Sequence, residues 1–164
     1  MPRRLLAASA SLLVLAACFG GTDPNVTESG EGKPDLSIEF PPTVEPDSQE
    51  VATLHIENPG PGDMNSLQVS FVRLGASDLP DALIGFGAKG KNPSIVSVDP
   101  EPRAVSIDGV VYTFDGLTEG ESTEIAFTIR TPGFQGRFAN SVIVADGSDP
   151  ERSRGVPLET RVEG

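Results

Sequence analysis

The chain has 164 residues, of which 12 are Lys or Arg and 24 are Asp or Glu, for a formal net charge of −12. So acidic a chain is a poor partner for nucleic acid or anionic headgroups, and no Trp, one Tyr and eight Phe leave few platforms on which sugars or single-stranded nucleic acid could stack. A single Cys and a single His exclude an internal disulfide and leave no ligand set for zinc.

The first segment, MPRRLLAASASLLVLAA, has the parts of an export signal: Arg3 and Arg4, an apolar run from Leu5, and small residues before a cleavage point. No acid occurs before Asp23. The apolar stretch is about 13 residues, short of the roughly 20 that a spanning helix needs, so cleavage is expected rather than retention. Arg3-Arg4 lacks the flanking motif of a twin-arginine signal, which leaves the general secretory route. Leu15-Ala16-Ala17-Cys18 resembles the lipobox of bacterial lipoproteins. The resemblance implies that the Cys18 thiol is diacylglycerol-modified, that a dedicated peptidase cuts before it, and that residues 1–17 are lost. Each buried methylene contributes roughly 0.8 kcal/mol, so two or more acyl chains anchor stably where one does not. The membrane is thus the first expected partner, through lipid on Cys18, and the expected location is extracytoplasmic, on the bacterial cell membrane or outer membrane. Loss of Arg3 and Arg4 takes the formal charge to −14.

Residues 18–35 are expected to be the lipidated N-terminus and a tether. Phe19 to Asp35 reads FGGTDPNVTESGEGKPD, with no apolar period. Taut, it would reach some 55 to 60 Å, and as a flexible coil it would average about 20 to 25 Å. Asn25-Val26-Thr27 fits a glycosylation sequon, a coincidence in a bacterial tether.

Residues 36–164 suit one domain. Strand-like runs recur at Leu36–Phe40, Val51–Asn58, Leu67–Leu74, Ile95–Val98, Ala104–Ile107, Val110–Phe114, Glu124–Thr131, Arg137–Ala145 and Val156–Val162. Ala52, Leu54 and Ile56 share one face, with Thr53, His55 and Glu57 on the other; Ile125, Phe127 and Ile129 alternate likewise with Glu124, Thr128 and Arg130. Val110, Tyr112 and Phe114 form another inward set, as do Phe138, Val142 and Val144. One apolar face per strand is the mark of antiparallel sheets with one wet side. Asp81 to Phe86 could hold a short turn of helix, and no longer helical period occurs. The expected fold is all-β, an immunoglobulin-like antiparallel sandwich of about seven to nine strands.

Three stretches also resemble a family. Asn58-Pro59-Gly60-Pro61 resembles the Asn-x-Gly-Pro turn of the conserved-repeat domain of unknown function eleven, an immunoglobulin-like module of bacterial envelope proteins. Leu117-Thr118-Glu119-Gly120-Glu121-Ser122, with the strand after it, resembles its Leu-x-x-Gly-x-Ser turn. Phe138 to Val144 resembles its late Asn-containing strand, and Asp149 falls at its acidic closing loop. The resemblance spans about Val51 to Gly155. The chain departs from it in having one copy rather than a tandem, and in Ser70-Phe71-Val72-Arg73-Leu74 where many members carry an Asp. Gly60, Gly116 and Gly120 are expected at positive φ, and Asn140 is expected to hydrogen-bond an adjacent loop.

Candidate chemistry does not assemble in the sequence. Gly85-Phe86-Gly87-Ala88-Lys89-Gly90-Lys91-Asn92 contains G-x-G-x-x-G and nearly a phosphate-binding loop, yet Asn92 replaces the required hydroxyl, Pro93 follows, and no helix is available. His55 is the only candidate base for nucleophilic catalysis, and its place on a polar strand face marks it as a surface residue. Asp146-Gly147-Ser148-Asp149 with Glu151 lacks the spacing of a calcium loop and reads as a turn. Carboxylates are abundant, but a small sandwich poor in aromatics offers no sugar-gripping cleft. Lys33, Lys89 and Lys91 lie off the core strands, so an isopeptide crosslink is not expected.

The expectation is a membrane-anchored envelope lipoprotein, not an enzyme, with no cofactor or metal. Its sandwich would be structural, adhesive or protein-interacting, with an envelope protein or polymer as partner. The alternative is an accessory lipoprotein that binds a small ligand or a cation such as calcium. Oligomeric state is left open.

Overall fold

The computed structural model describes residues 26–27, 32–75, 78–85, 94–107 and 110–164. The leader, Cys18 and most of the Gly-rich stretch 85–92 lie outside the described residues. The nine strands that alternation points to are all present: β2 (Asp35–Glu39), β4 (Gln49–Glu57), β5 (Met64–Arg73), β6 (Ile95–Asp99), β7 (Ala104–Val105), β8 (Val111–Leu117), β9 (Ser122–Arg130), β10 (Gly136–Asp146) and β11 (Asp149–Val162). Two more are two-residue pieces, β1 (Val26–Thr27) and β3 (Thr43–Val44). The strand total among the described residues is therefore eleven, and the two additions are too short to carry an alternation of their own.

The strands form two sheets, ordered β1-β2-β4-β9-β6 and β3-β11-β10-β5-β8-β7. This is an all-β, immunoglobulin-like sandwich. Every pairing is antiparallel except β3 with β11. Val26 and Thr27, which the sequence places in the tether, pair with Ser37 and Leu36. β11 begins seven residues ahead of the expected Val156, because Asp149 to Gly155 continue the hairpin with β10 across a bulge at Ala145/Asp146. Pro150 and the charges of that segment hide it from any alternation test. Asp81–Phe86 forms no helical turn over its described residues; Asp81 bridges to Phe138 in parallel.

The core follows the inward faces. Ala52, Leu54, Ile56, Ile125, Phe127 and Ile129 of the first sheet are at most 1% exposed and meet Val69, Phe71, Tyr112, Phe114, Val142 and Val144 of the second. Phe127 is the hub, with its ring edge-on to Phe71, Tyr112 and Phe114 at 5.0, 5.4 and 6.4 Å.

Gly60 has the expected positive φ, 83°, and Gly120 has 78°. Gly116 does not. It lies within β8 and is needed there for a different reason: a Cβ would run into the Met64 carbonyl of the neighbouring strand.

Candidate functional site

The turn after β4 is built inward from Asn58, which is fully buried. Its Nδ2 donates to the carbonyls of Gly62 (3.0 Å) and Leu117 (3.1 Å), and its Oδ1 accepts from the Gly60 N–H (3.1 Å). Arg152 of β11 closes the same turn. Its Nε donates to the Gly32 carbonyl (2.7 Å), Nη1 to the Asp63 carbonyl (2.8 Å), and Nη2 to the Gly62 carbonyl (3.2 Å) and Asn58 Oδ1 (3.4 Å). Nη1 also faces Asp146 Oδ2 at 3.5 Å, where the carboxyl side chain is 2% exposed. The guanidinium fork thus ties three stretches together: the chain entering at Gly32, the Asn58–Asp63 turn and the β10–β11 hairpin.

Asp146 is further held by the Ser148 N–H (3.0 Å) and hydroxyl (2.8 Å), which donate to Oδ1. Burial by itself would raise its pKa. The Ser148 hydrogen bonds, the Arg152 charge and the Asn65 N–H outweigh that and hold the carboxyl below its ordinary value. Asp149 Oδ1 accepts from the Glu151 N–H at 3.1 Å. Asp146 and one oxygen of Asp149 are therefore committed to backbone and side-chain donors of this turn and to Arg152. Among the described residues no group of three or more His, Cys, Asp or Glu is gathered so as to hold a metal ion.

His55 sits in a row that only strand register reveals: Ser37 on β2, His55 on β4 and Glu124 on β9 are direct cross-strand neighbours. Glu124 Oε1 lies 3.1 Å from His55 Nδ1, and Glu39 Oε1 lies 3.8 Å from Nε2. That is the residue set of a Ser-His-acid triad without its geometry. His55 Nε2 has no hydrogen-bond partner, so Ser37 is not engaged. The neighbouring backbone N–H groups belong to the sheet ladder and cannot form an oxyanion hole.

Asn140 meets its expectation. Its Oδ1 accepts from the N–H groups of Leu83 (2.9 Å) and Ile84 (2.8 Å), and its Nδ2 donates to the Ile84 carbonyl (2.9 Å). The pinned segment, with Leu83 and Ile84 fully buried, makes one wall of a cavity of about 640 Å³. Ile95, Val96, Pro132, Phe134 and Phe138 complete the apolar lining, and Asp81 and Arg130 stand at it. A second hollow of about 470 Å³ continues along β6 past Val98 to Pro102, Val105 and Tyr112. Together they make a cleft where the two sheets part between β6 and β7. Phe134, Val96 and Val105 are 60, 49 and 49% exposed along it. Sequence alternation does not find this cleft, because its residues come from strands of both sheets and from the loops between them.

No protein-family model matches the chain, and no curated protein matches it. Solved structures do resemble it. A PapD-like domain of human CEP192 is 17% identical, covers 96% of this chain and 98% of its own, and superposes with a TM-score of 0.44. The CARDB domain of the PF1109 protein from Pyrococcus furiosus, solved with di-metal ions, is 15% identical over 84% of this chain and 95% of its own, with a TM-score of 0.47. Self-complemented MyfA, the major subunit of Myf fimbriae from Yersinia enterocolitica, is 16% identical over 78% and 99%, with a TM-score of 0.44. At these values the likeness is one of fold, and it brings neither partner nor activity to this chain.

Proposed function

We propose that the chain is a lipid-anchored bacterial envelope protein, held through an acylated Cys18, whose single sandwich is a non-catalytic module for protein interaction. The observation that carries the anchor is Leu15-Ala16-Ala17-Cys18 behind a short apolar leader, with no second Cys in the chain. The interaction role is supported by the distribution of polar groups. The buried Asn58, Asn140 and Asp146 are engaged by the protein's own backbone and by Arg152, whereas the apolar cleft along β6 has nothing over it among the described residues. Asp146 and Asp149 of the turn that follows β10 likewise accept hydrogen bonds from within it, which favours this reading over a calcium-binding accessory.

The anchor is tested by growing cells with a radiolabelled or clickable fatty acid. The native chain should take up the label and migrate as a cleaved species, and Cys18→Ser should lose the label and accumulate as precursor. Unchanged processing in that variant refutes the lipid anchor.

A further inference from the structure

We propose that the β6 edge and the cleft beside it accept an extended strand from a partner protein, one with alternating apolar residues between flanking Lys or Arg. The proposal deepens the interaction reading above and rests on it.

β6 ends its sheet. It pairs with β9 on one side and with no described strand on the other. A strand bonded on one side only presents a row of free N–H and C=O groups, which another extended chain satisfies. β6 is short and bulged between Ile95 and Ser97, but Ile95-Val96-Ser97-Val98 contains no Lys, Arg or Pro, the side chains that most often guard an edge. Where the opposite edge of this sheet is β1, and β11 packs across from β2, the β6 side has two hollows that no described residue fills. A strand added to β6 would send every second side chain toward them, past Phe134 at one end and Val105 at the other.

Two observations select the occupant. The first is where the chain leaves the domain. Its N-terminal part joins at β1, four strand spacings from β6, or about 19 Å across the sheet. From Cys18 to Val26 the chain can span at most about 28 Å. With lipid on Cys18 the domain is therefore tethered by its β1 edge, the edge of this sheet farthest from β6. The second is charge. Among the described residues the exposed Asp81, Asp99 and Glu101 flank the edge, against Arg130 and an Arg103 that is already paired with Asp115, and the chain carries −12 overall. A second copy would bring that same charge against itself, whereas Lys or Arg at the ends of an incoming strand complements it.

The test uses the full chain in detergent micelles and a short fluorescent peptide of alternating Val and Thr between Lys residues. Fluorescence anisotropy should show saturable binding, weakened about tenfold or more by Val96→Lys, which puts a charge on the edge. Phe134→Ser should weaken it as well; Val96→Lys should melt with the native protein and Phe134→Ser, which loses an edge-on contact with Phe138, slightly below it. The same peptide with Glu in place of Lys should bind more weakly. Equal binding by Val96→Lys, or no binding by the native chain, overturns the proposal. So does binding that emerges only when residues 86–93 are replaced by a Gly-Ser linker, since the occupant is then the chain itself. A native dimer that Val96→Lys dissociates in sedimentation also overturns it, because the occupant is then a second copy. None of these results depends on whether Cys18 is acylated, so this proposal and the anchor fail separately.

Discussion

The two long sides of the sandwich differ in how they end. On one side β1 and β2 lie near β11, and at their end Arg152 gathers Gly32, Asn58, Gly62, Asp63 and Asp146 into one hydrogen-bonded knot. On the other, β6 and β7 part over an apolar cleft that no described residue fills. Both sides border the same core, so the contrast lies at the edges. Where the domain must hold its own chain entry, polar groups are paired; where apolar surface is left open, folding has no further use for it.

Substitutions should separate the two sides by size of effect. Phe127→Ala sets the scale for the shared core and should cost about 3–5 kcal/mol in chemical denaturation, because a fully buried ring in contact with three others leaves a cavity. Arg152→Leu should follow at about 3 kcal/mol, since it removes the cation from the buried Asp146 carboxylate and a donor from each of three backbone carbonyls. Asn140→Ala orphans two buried N–H groups and should cost about 2–3 kcal/mol in all, and should in addition loosen the Leu83–Ile84 wall of the cleft. At the open edge, Val96→Lys should stay within about 0.5 kcal/mol, as surface changes do, and Phe134→Ser, which gives up an edge-on contact with Phe138, within about 1.5 kcal/mol. A cost at Val96 comparable to that at Arg152 would erase the distinction.

The smallest effect is one of pH. The Asp146 carboxyl sits below its ordinary value in the folded state. Its contribution is therefore complete above the unfolded carboxylate range near 3.9 and is lost as pH falls through the folded value. Native protein and Asp146→Asn should thus differ in melting temperature at neutral pH and converge as pH drops below about 4. A gap that widens in acid would contradict the hydrogen-bonded, ion-paired state assigned to Asp146.

Much of this fold was legible in the residues. Alternation placed Ala52, Leu54, Ile56, Ile125, Phe127 and Ile129 inward, and the Asn in FANSV pointed to a side chain that serves a loop. What escaped had physical causes. Val26–Thr27 and Thr43–Val44 are too short to show a period. Arg152 lies in a charged, Pro-containing run, and the one signal that could have found it was its parity with Val156, Leu158 and Val162, which turns an Arg toward the interior. The Ser37–His55–Glu124 row depends on register between three strands, which no single segment encodes. The cleft is a property of where two sheets stop, and alternation within a strand does not record that.

The central claim is that one side of the sandwich is latched and the other is open for pairing. Amide hydrogen exchange on the free protein, resolved by residue, tests it most directly. The account predicts that amides of β4 and β10 exchange only on global unfolding, that Gly60 beside Arg152 is strongly protected, and that β6 includes amides exchanging orders of magnitude faster. Protection of every β6 amide at the level of β4 would mean that the edge is already covered, and would contradict it.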